Sequence, residues 1–170
     1  LTVENKPGGS GVVAVQAVRQ VPGDGHTILM GSNSPAVVNA ITIKNLPYDP
    51  FKDLRPLYGL AISPVAFAVK ADSPYKTIAD VVAAARTAQG VSYGTIGNGS
   101  LGHLAMAMLA KDHQLNFVHV PYRGGGPLMN DAVAGHVPLA VGSIFLAKPH
   151  IDSGRLRPLA APSLPDQIAV

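Results

Sequence analysis

The chain has 170 residues, 47% of them hydrophobic and 14% charged, with a net charge of +3; a sequence this apolar can bury a core and is not disordered. Its 13 Lys and Arg residues are scattered instead of gathered in a basic stripe, which argues against a nucleic-acid partner. Zero cysteines exclude disulfides and thiolate metal sites, and no apolar run reaches the roughly 18 residues that cross a bilayer.

Leu1-Thr2-Val3 reads as the end or middle of a strand that runs at once into Glu4-Asn5-Lys6-Pro7-Gly8-Gly9, so a preceding segment is expected. No basic-then-apolar leader pattern opens the chain. Beyond the turn at 7–11, Val12, Val13, Val15, Ala17 and Val18 with polar Gln16, Arg19 and Gln20 predict a mostly buried helix, stopped by Pro22-Gly23-Asp24-Gly25. Residues 27–30 form a short apolar run bounded by turn signals, a buried strand that delivers the polar loop Gly31-Ser32-Asn33-Ser34-Pro35. Residues 45–50 are extended and turn-rich, and 51–54 lead into a strand pattern at 57–62. A further strand pattern covers 64–69. Thr77, with Asp80 three residues on, caps an amphipathic helix through Ile78, Val81, Val82 and Ala85 that ends near Gly90.

From residue 91 strand and helix alternate: a strand at 91–93, a glycine loop, a helix at 101–111, a strand at 117–120, a loop at 121–126, a helix at 127–134 and a strand at 139–141. This is an α/β pattern, and ligands of such sheets bind outside the carboxyl ends of the strands. The loops at 31–35, 94–103 and 122–126 qualify, and a fourth at 142–145 follows the last clear strand. The loop at 94–103 opens a helix. Its backbone N–H groups lack intrahelical partners, the helix dipole adds partial positive charge, and glycine lets a ligand approach the main chain, so the ligand is expected to be an anion.

Gly97-Asn98-Gly99-Ser100-Leu101-Gly102 satisfies the Gly-x-Gly-x-x-Gly spacing of dinucleotide folds. The ribose-binding acid that such folds place about 20 residues on is missing, because residues 118–122 read Val-His-Val-Pro-Tyr. Neither glycine run continues into the Lys-Ser/Thr pair of a triphosphate loop. Ser100 lacks the flanks of a nucleophile elbow and is read as a helix cap and hydroxyl donor. His103 is read as a ring packed against its lobe with one nitrogen on a backbone carbonyl, and His119 as core or interface packing. His103, His113, His119 and His136 have no metal-ligand spacing, and no paired carboxylates occupy a candidate loop. Arg123 is read as a solvated surface group that is able to pair with a carboxylate. No catalytic residue, metal or cofactor is expected.

Four motifs in order carry a more specific reading: Val3-Glu4-Asn5-Lys6-Pro7-Gly8-Gly9; Asn45-Leu46-Pro47-Tyr48-Asp49-Pro50; Tyr93-Gly94-Thr95 with Gly97-Asn98-Gly99-Ser100 and His103-Leu104; and His119-Val120-Pro121-Tyr122-Arg123-Gly124-Gly125. Together they resemble the Bug, or TctC-like, extracytoplasmic solute-binding proteins of tripartite tricarboxylate transporters, over nearly the whole chain. The resemblance implies a periplasmic, two-lobed α/β fold of the periplasmic-binding-protein type II class that closes like a clamshell on a small organic acid. It implies a partial first lobe at 1–67, with 156–170 returning to it, and a second lobe at 68–155. Family members begin with a strand and a Pro-Gly-Gly loop that this chain starts after. The helices that follow Leu164-Pro165-Asp166 are also missing, so truncation at both ends, without the signal peptide, is expected.

Carried over position by position, the binding loops are Ser32, Asn33 and Ser34 on one lobe and Thr95, Gly97, Asn98, Gly99, Ser100 and His103 on the other, with Tyr122 and Gly124 bordering the cleft. The implied partners are a small mono-, di- or tricarboxylate and the membrane subunits of the transporter. Val141-Gly142-Ser143-Ile144 stands where many relatives carry an acid that meets an amino group, so a plain carboxylate is expected over an amino acid. Competing readings are a carboxylate-sensing domain acting on a signalling partner and a nucleotide- or phosphate-dependent α/β enzyme.

Overall fold

The computed structural model describes residues 1–161. Its elements in chain order are α1 (Val12–Val18), α2 (Asn39–Thr42), α3 (Pro50–Asp53), β1 (Val65–Lys70), α4 (Ile78–Ala85), β2 (Val91–Thr95), α5 (Leu101–His113), β3 (Phe117–Pro121), α6 (Gly125–Ala134), β4 (Leu139–Ser143), α7 (Ile144–Asp152) and β5 (Leu156–Ala160). The strands form one sheet in the order β3-β2-β4-β1-β5. β2 pairs parallel with β3 and β4, whereas β1 runs antiparallel to both β4 and β5.

The central strands β2, β4 and β1 have two buried faces, and alternate side chains divide between them. Phe67, Val69, Tyr93, Leu139 and Val141 point to the face covered by Val81 of α4 and Met106 of α5. Ala68 and Ala140 point to the other, beneath Leu128 and Met129 of α6 and Ala147 of α7. The capping box anticipated for α4 is present: the Asp80 N–H donates to Thr77 Oγ1 at 3.3 Å, and Asp80 Oδ2 accepts from the Thr77 N–H at 2.9 Å. The Lys76 N–H, which donates to Asp80 Oδ2 at 2.8 Å, and then the Thr77 N–H hold the Asp80 carboxyl below its ordinary value.

The first 64 residues depart from the sequence reading. Residues 27–30 and 57–62 form no strand, and Ile28, Met30, Leu57, Tyr58, Leu60 and Ile62 are exposed. Their apolar pattern needs a neighbouring strand to complete a ladder, and no described strand lies beside them. In α1 only Val15 is buried, and Val13 is exposed, so this helix is peripheral instead of mostly buried. Residues 34–42, of which only 34 and 35 are assigned from sequence, as the end of a loop, wind into a π-helical turn, Ser34–Val38, continued by α2. The region around 142–145 is not an open loop: Ser143 caps α7, which the internal Pro149 had disguised.

β1 straddles the boundary expected between residues 67 and 68. Residues 156–160, expected to begin the return to the first lobe, form the edge of this sheet against β1. The remainder of that expected return, including Leu164-Pro165-Asp166, lies outside the described residues.

Candidate functional site

Because β2, β3 and β4 are parallel, the helices that follow them, α5, α6 and α7, all begin at the same edge of the sheet. The loop from β2 to α5 is held from below. Thr95 is fully buried, and its hydroxyl bonds Gly97 O at 3.1 Å, accepts the Gly97 N–H at 3.3 Å and meets His119 Nε2 at 2.7 Å. Ser100, also buried, caps α5: its Oγ accepts the His103 N–H at 3.3 Å. His103 answers in reverse, accepting the Gly99 N–H on Nδ1 at 3.0 Å. Its ring therefore receives a backbone amide instead of donating to a carbonyl. In the neutral tautomer that geometry requires, Nε2 carries the proton.

His103 stacks on His119 at a ring separation of 4.1 Å, and His119 in turn stacks on Tyr93 at 5.0 Å. Burial, and to a lesser degree the neighbouring His103, push the His119 pKa below its ordinary value. Burial likewise raises the Tyr93 phenol. The packing role read for His119 agrees with this stack.

A cleft of about 620 Å³ opens above the glycine loop. Gly97, Asn98, Gly99, His103, Tyr122 and Arg123 line one wall, and Gly8, Gly9, Ser10, Thr42, Ile43 and Pro47 line the other. Of the residues anticipated from sequence, Thr95 and Ser100 lie beneath the cleft, and Gly124 sits at its margin, left-handed at φ 108 and facing Pro7. Ser32, Asn33 and Ser34 do not reach it: the first two are exposed, and Ser34 is buried at the start of the π-helical turn. Pro35 beside Ser34 packs on the bare backbone of Gly11, where a Cβ would come 3.1 Å from the proline ring. The Gly8–Ser10 turn thereby takes the place expected of the serine loop. A signal was present, since this turn is, like the loops at 94–103 and 122–126, glycine-rich and followed by a helix.

Tyr122 lines the cleft, but its hydroxyl is engaged elsewhere. That hydroxyl donates to Asp131 Oδ2 at 2.8 Å, and His136 Nδ1 lies 3.3 Å from Asp131 Oδ1. Burial and the Asp131 carboxylate push the Tyr122 phenol up to about 12, while the Tyr122 and His136 bonds hold Asp131 low. Arg123 is exposed and forms no ion pair among the described residues, and no Asp or Glu lines the cleft. At the loop, the N–H groups of Asn98 and Leu101 have no acceptor among the described residues. The site thus presents hydrogen-bond donors and positive charge, the complement of an anion.

A second depression of about 490 Å³ lies at the opposite edge of the sheet, around Thr87, Gly90, Ser92 and Val118. No charged side chain lines it, whereas Arg123 lines the first cleft. Among the described residues no three His, Cys, Asp or Glu side chains gather to hold a metal ion, and no helix is long and apolar enough to cross a membrane.

Residues 1–166 match the family described as the Tripartite tricarboxylate transporter family receptor, TctC. The chain belongs to the TctC family. It is similar to a UPF0065 protein of Bordetella bronchiseptica, with 36% identity over 158 residues that cover 93% of this chain and 47% of that protein. Among solved structures it is similar to a periplasmic transporter, with 33% identity, a TM-score of 0.87 and coverage of 95% of this chain and 54% of that one. It is also similar to Rpa4515 of R. palustris, solved with adipate, with 31% identity, a TM-score of 0.83 and coverage of 91% and 52%. This chain therefore spans about half the length of the TctC relatives it matches, and its α/β architecture is that of a periplasmic binding protein with one lobe incomplete.

Proposed function

We propose that this TctC chain is the anion-binding part of a periplasmic solute receptor that captures a small organic carboxylate and presents it to the membrane subunits of a tripartite tricarboxylate transporter. The observation that carries this reading is the cleft itself. Among the described residues, backbone donors without an acceptor at the start of α5, the Nε2–H of His103 and Arg123, which forms no ion pair, border a space that no carboxylate lines. A carboxylate placed over the loop satisfies donors that are otherwise left to solvent, and each charge-assisted bond of that kind contributes about 1.5–3 kcal/mol. The helix dipole adds about 0.3–1 kcal/mol. Arg123 at the rim suits a second carboxylate, and Ile43, Pro47 and Ile96 supply an apolar middle. Rpa4515, the relative solved with adipate, has this combination of features in its ligand: two carboxylates joined by methylenes.

This is a binding site rather than a reactive one in our reading. Tyr122 is committed to Asp131, Thr95 and Ser100 are tied into the loop, and nothing lining the cleft is placed as an acid and base pair. Isothermal calorimetry with adipate, hexanoate and 1,6-diaminohexane tests it. Heat of binding is expected for adipate, less for hexanoate and none for the diamine. Binding of the diamine, or no heat from adipate, malate and citrate alike, overturns the reading.

A further inference from the structure

The two walls of the cleft meet at one peptide. Ser10 Oγ donates to Asn98 O across the cleft, and the N–H of the same peptide unit, that of Gly99, donates to His103 Nδ1. The Asn98–Gly99 peptide is therefore gripped at both ends, its carbonyl by one wall and its N–H by the other. Glycine loops can turn such a peptide over at small cost, because Gly99 at φ 72 is free of side-chain restraint. Here both orientations are not equivalent: turning it over loses both bonds. The approach is close on either side, since a Cβ at Gly97 would lie 3.2 Å from Ser10 Oγ and one at Gly99 would lie 3.1 Å from Thr42 Oγ1.

Ser10 reaches Asn98 from a backbone conformation that a side chain disfavours, φ 53 and ψ 39, set between left-handed Gly9 and Gly11. What holds it there is Asn39, which is fully buried. Its Nδ2 donates to Ser10 O at 3.1 Å and to Tyr48 Oη at 3.2 Å, and Tyr48 passes its own proton to Pro35 O at 2.7 Å. Both amide protons are thus used, while Asn39 Oδ1 is buried without a partner among the described residues. A buried, half-satisfied amide is unfavourable by itself. Its two donated bonds hold the turn that aims the Ser10 hydroxyl.

We infer that Asn39 and Ser10 are positioning residues of the cleft: Asn39 holds the left-handed turn, and Ser10 clamps the Asn98–Gly99 peptide against His103, so that the glycine loop is preset and the walls are joined. Neither residue needs to touch the ligand. This inference does not depend on which solute is bound, because the clamp is formed within the protein.

The absence of native cysteine allows site-specific labelling. Spin labels at Lys44→Cys, next to Ile43 of one wall, and at Lys111→Cys, on the helix α5 that carries His103 of the other, are both at exposed positions and report the separation of the walls by pulsed electron resonance. The labelled chain without ligand is expected to show one narrow distance distribution. Ser10→Gly, which suits the left-handed backbone but lacks the hydroxyl, is expected to add a longer-distance population, and Asn39→Ala to do the same. Losing one such bond shifts the joined-to-separated ratio about 2- to 12-fold. Where adipate binds, its dissociation rate rises by a similar factor while association changes less. Ser10→Ala is the second variant, lacking the hydroxyl but keeping the Cβ. Distributions identical to the parent in both Ser10 variants overturn the inference. Failure of adipate to bind the parent chain counts only against the carboxylate reading, since the distance measurement needs no ligand.

Discussion

Gly102 and Gly126 are a matched pair: each is the second residue of its helix, α5 and α6, and neither has a positive φ. Their surroundings differ. A Cβ on Gly102 would lie 2.7 Å from the Val141 carbonyl oxygen of β4, whereas one on Gly126 would meet nothing within 4 Å. Backbone cannot yield as a side chain does, so Gly102→Ala must push the start of α5 away from the sheet. Replacing Gly by Ala in an unstrained helical site stabilises by about 0.4–1 kcal/mol, chiefly through the unfolded chain. At Gly126 that gain is expected in full. At Gly102 it is opposed by overpacking of about 1–3 kcal/mol, so the two variants should differ by about that amount. Equilibrium urea unfolding followed by circular dichroism reads both, and because the helix position is the same the difference isolates the contact. Equal stabilisation of the two variants refutes the claim that β4 sets where α5 begins. The same displacement moves the Asn98 and Leu101 donors, so Gly102→Ala is also expected to weaken adipate binding, and Gly126→Ala to leave it unchanged.

Arg123→Gln is expected to weaken adipate binding several-fold while hexanoate changes little, measured by calorimetry; equal losses for both ligands would show that Arg123 does not meet a second carboxylate. His119 contributes a pH dependence of definite sign. Its folded pKa lies below the ordinary 6.5, so the unfolded chain binds the extra proton more readily and stability falls as pH is lowered from above 6.5 toward the folded value. Urea midpoints between pH 8 and 5 should show that decline, and His119→Gln should flatten it. Thr77→Ala removes the capping hydroxyl of α4 and is expected to cost about 0.5–2 kcal/mol in the same unfolding assay, with no effect on ligand affinity because the cap lies away from the cleft.

The second half of the chain was legible from residues because its signals are local. The apolar runs at β2, β3 and β4, the Thr77 and Ser100 caps and the glycine loop each announce themselves within a few positions, and burial on both faces of the central strands reinforces β2 and β4. Family membership was legible too, from four motifs whose order no single loop could supply. The first 64 residues were not, since the strand-like runs at 27–30 and 57–62 are apolar whether or not a neighbour pairs with them, and pairing is a long-range fact. The helix α7 was hidden by Pro149, and Ser32 to Ser34 were placed in the site by the family resemblance and by their polar loop after a strand-like run, neither of which registers that residues 34–42 wind into helical turns. Sequence by itself determined that a glycine loop opens a helix in an α/β protein. Tertiary structure decided which donors remain for a ligand: His103 takes the Gly99 amide, Asp131 takes the Tyr122 hydroxyl, and Ser10, held by an asparagine 29 residues away, reaches Asn98 across 88 residues of chain. Hydrogen-bond partners so distant in sequence leave no periodicity to read, because only the folded chain brings them within reach.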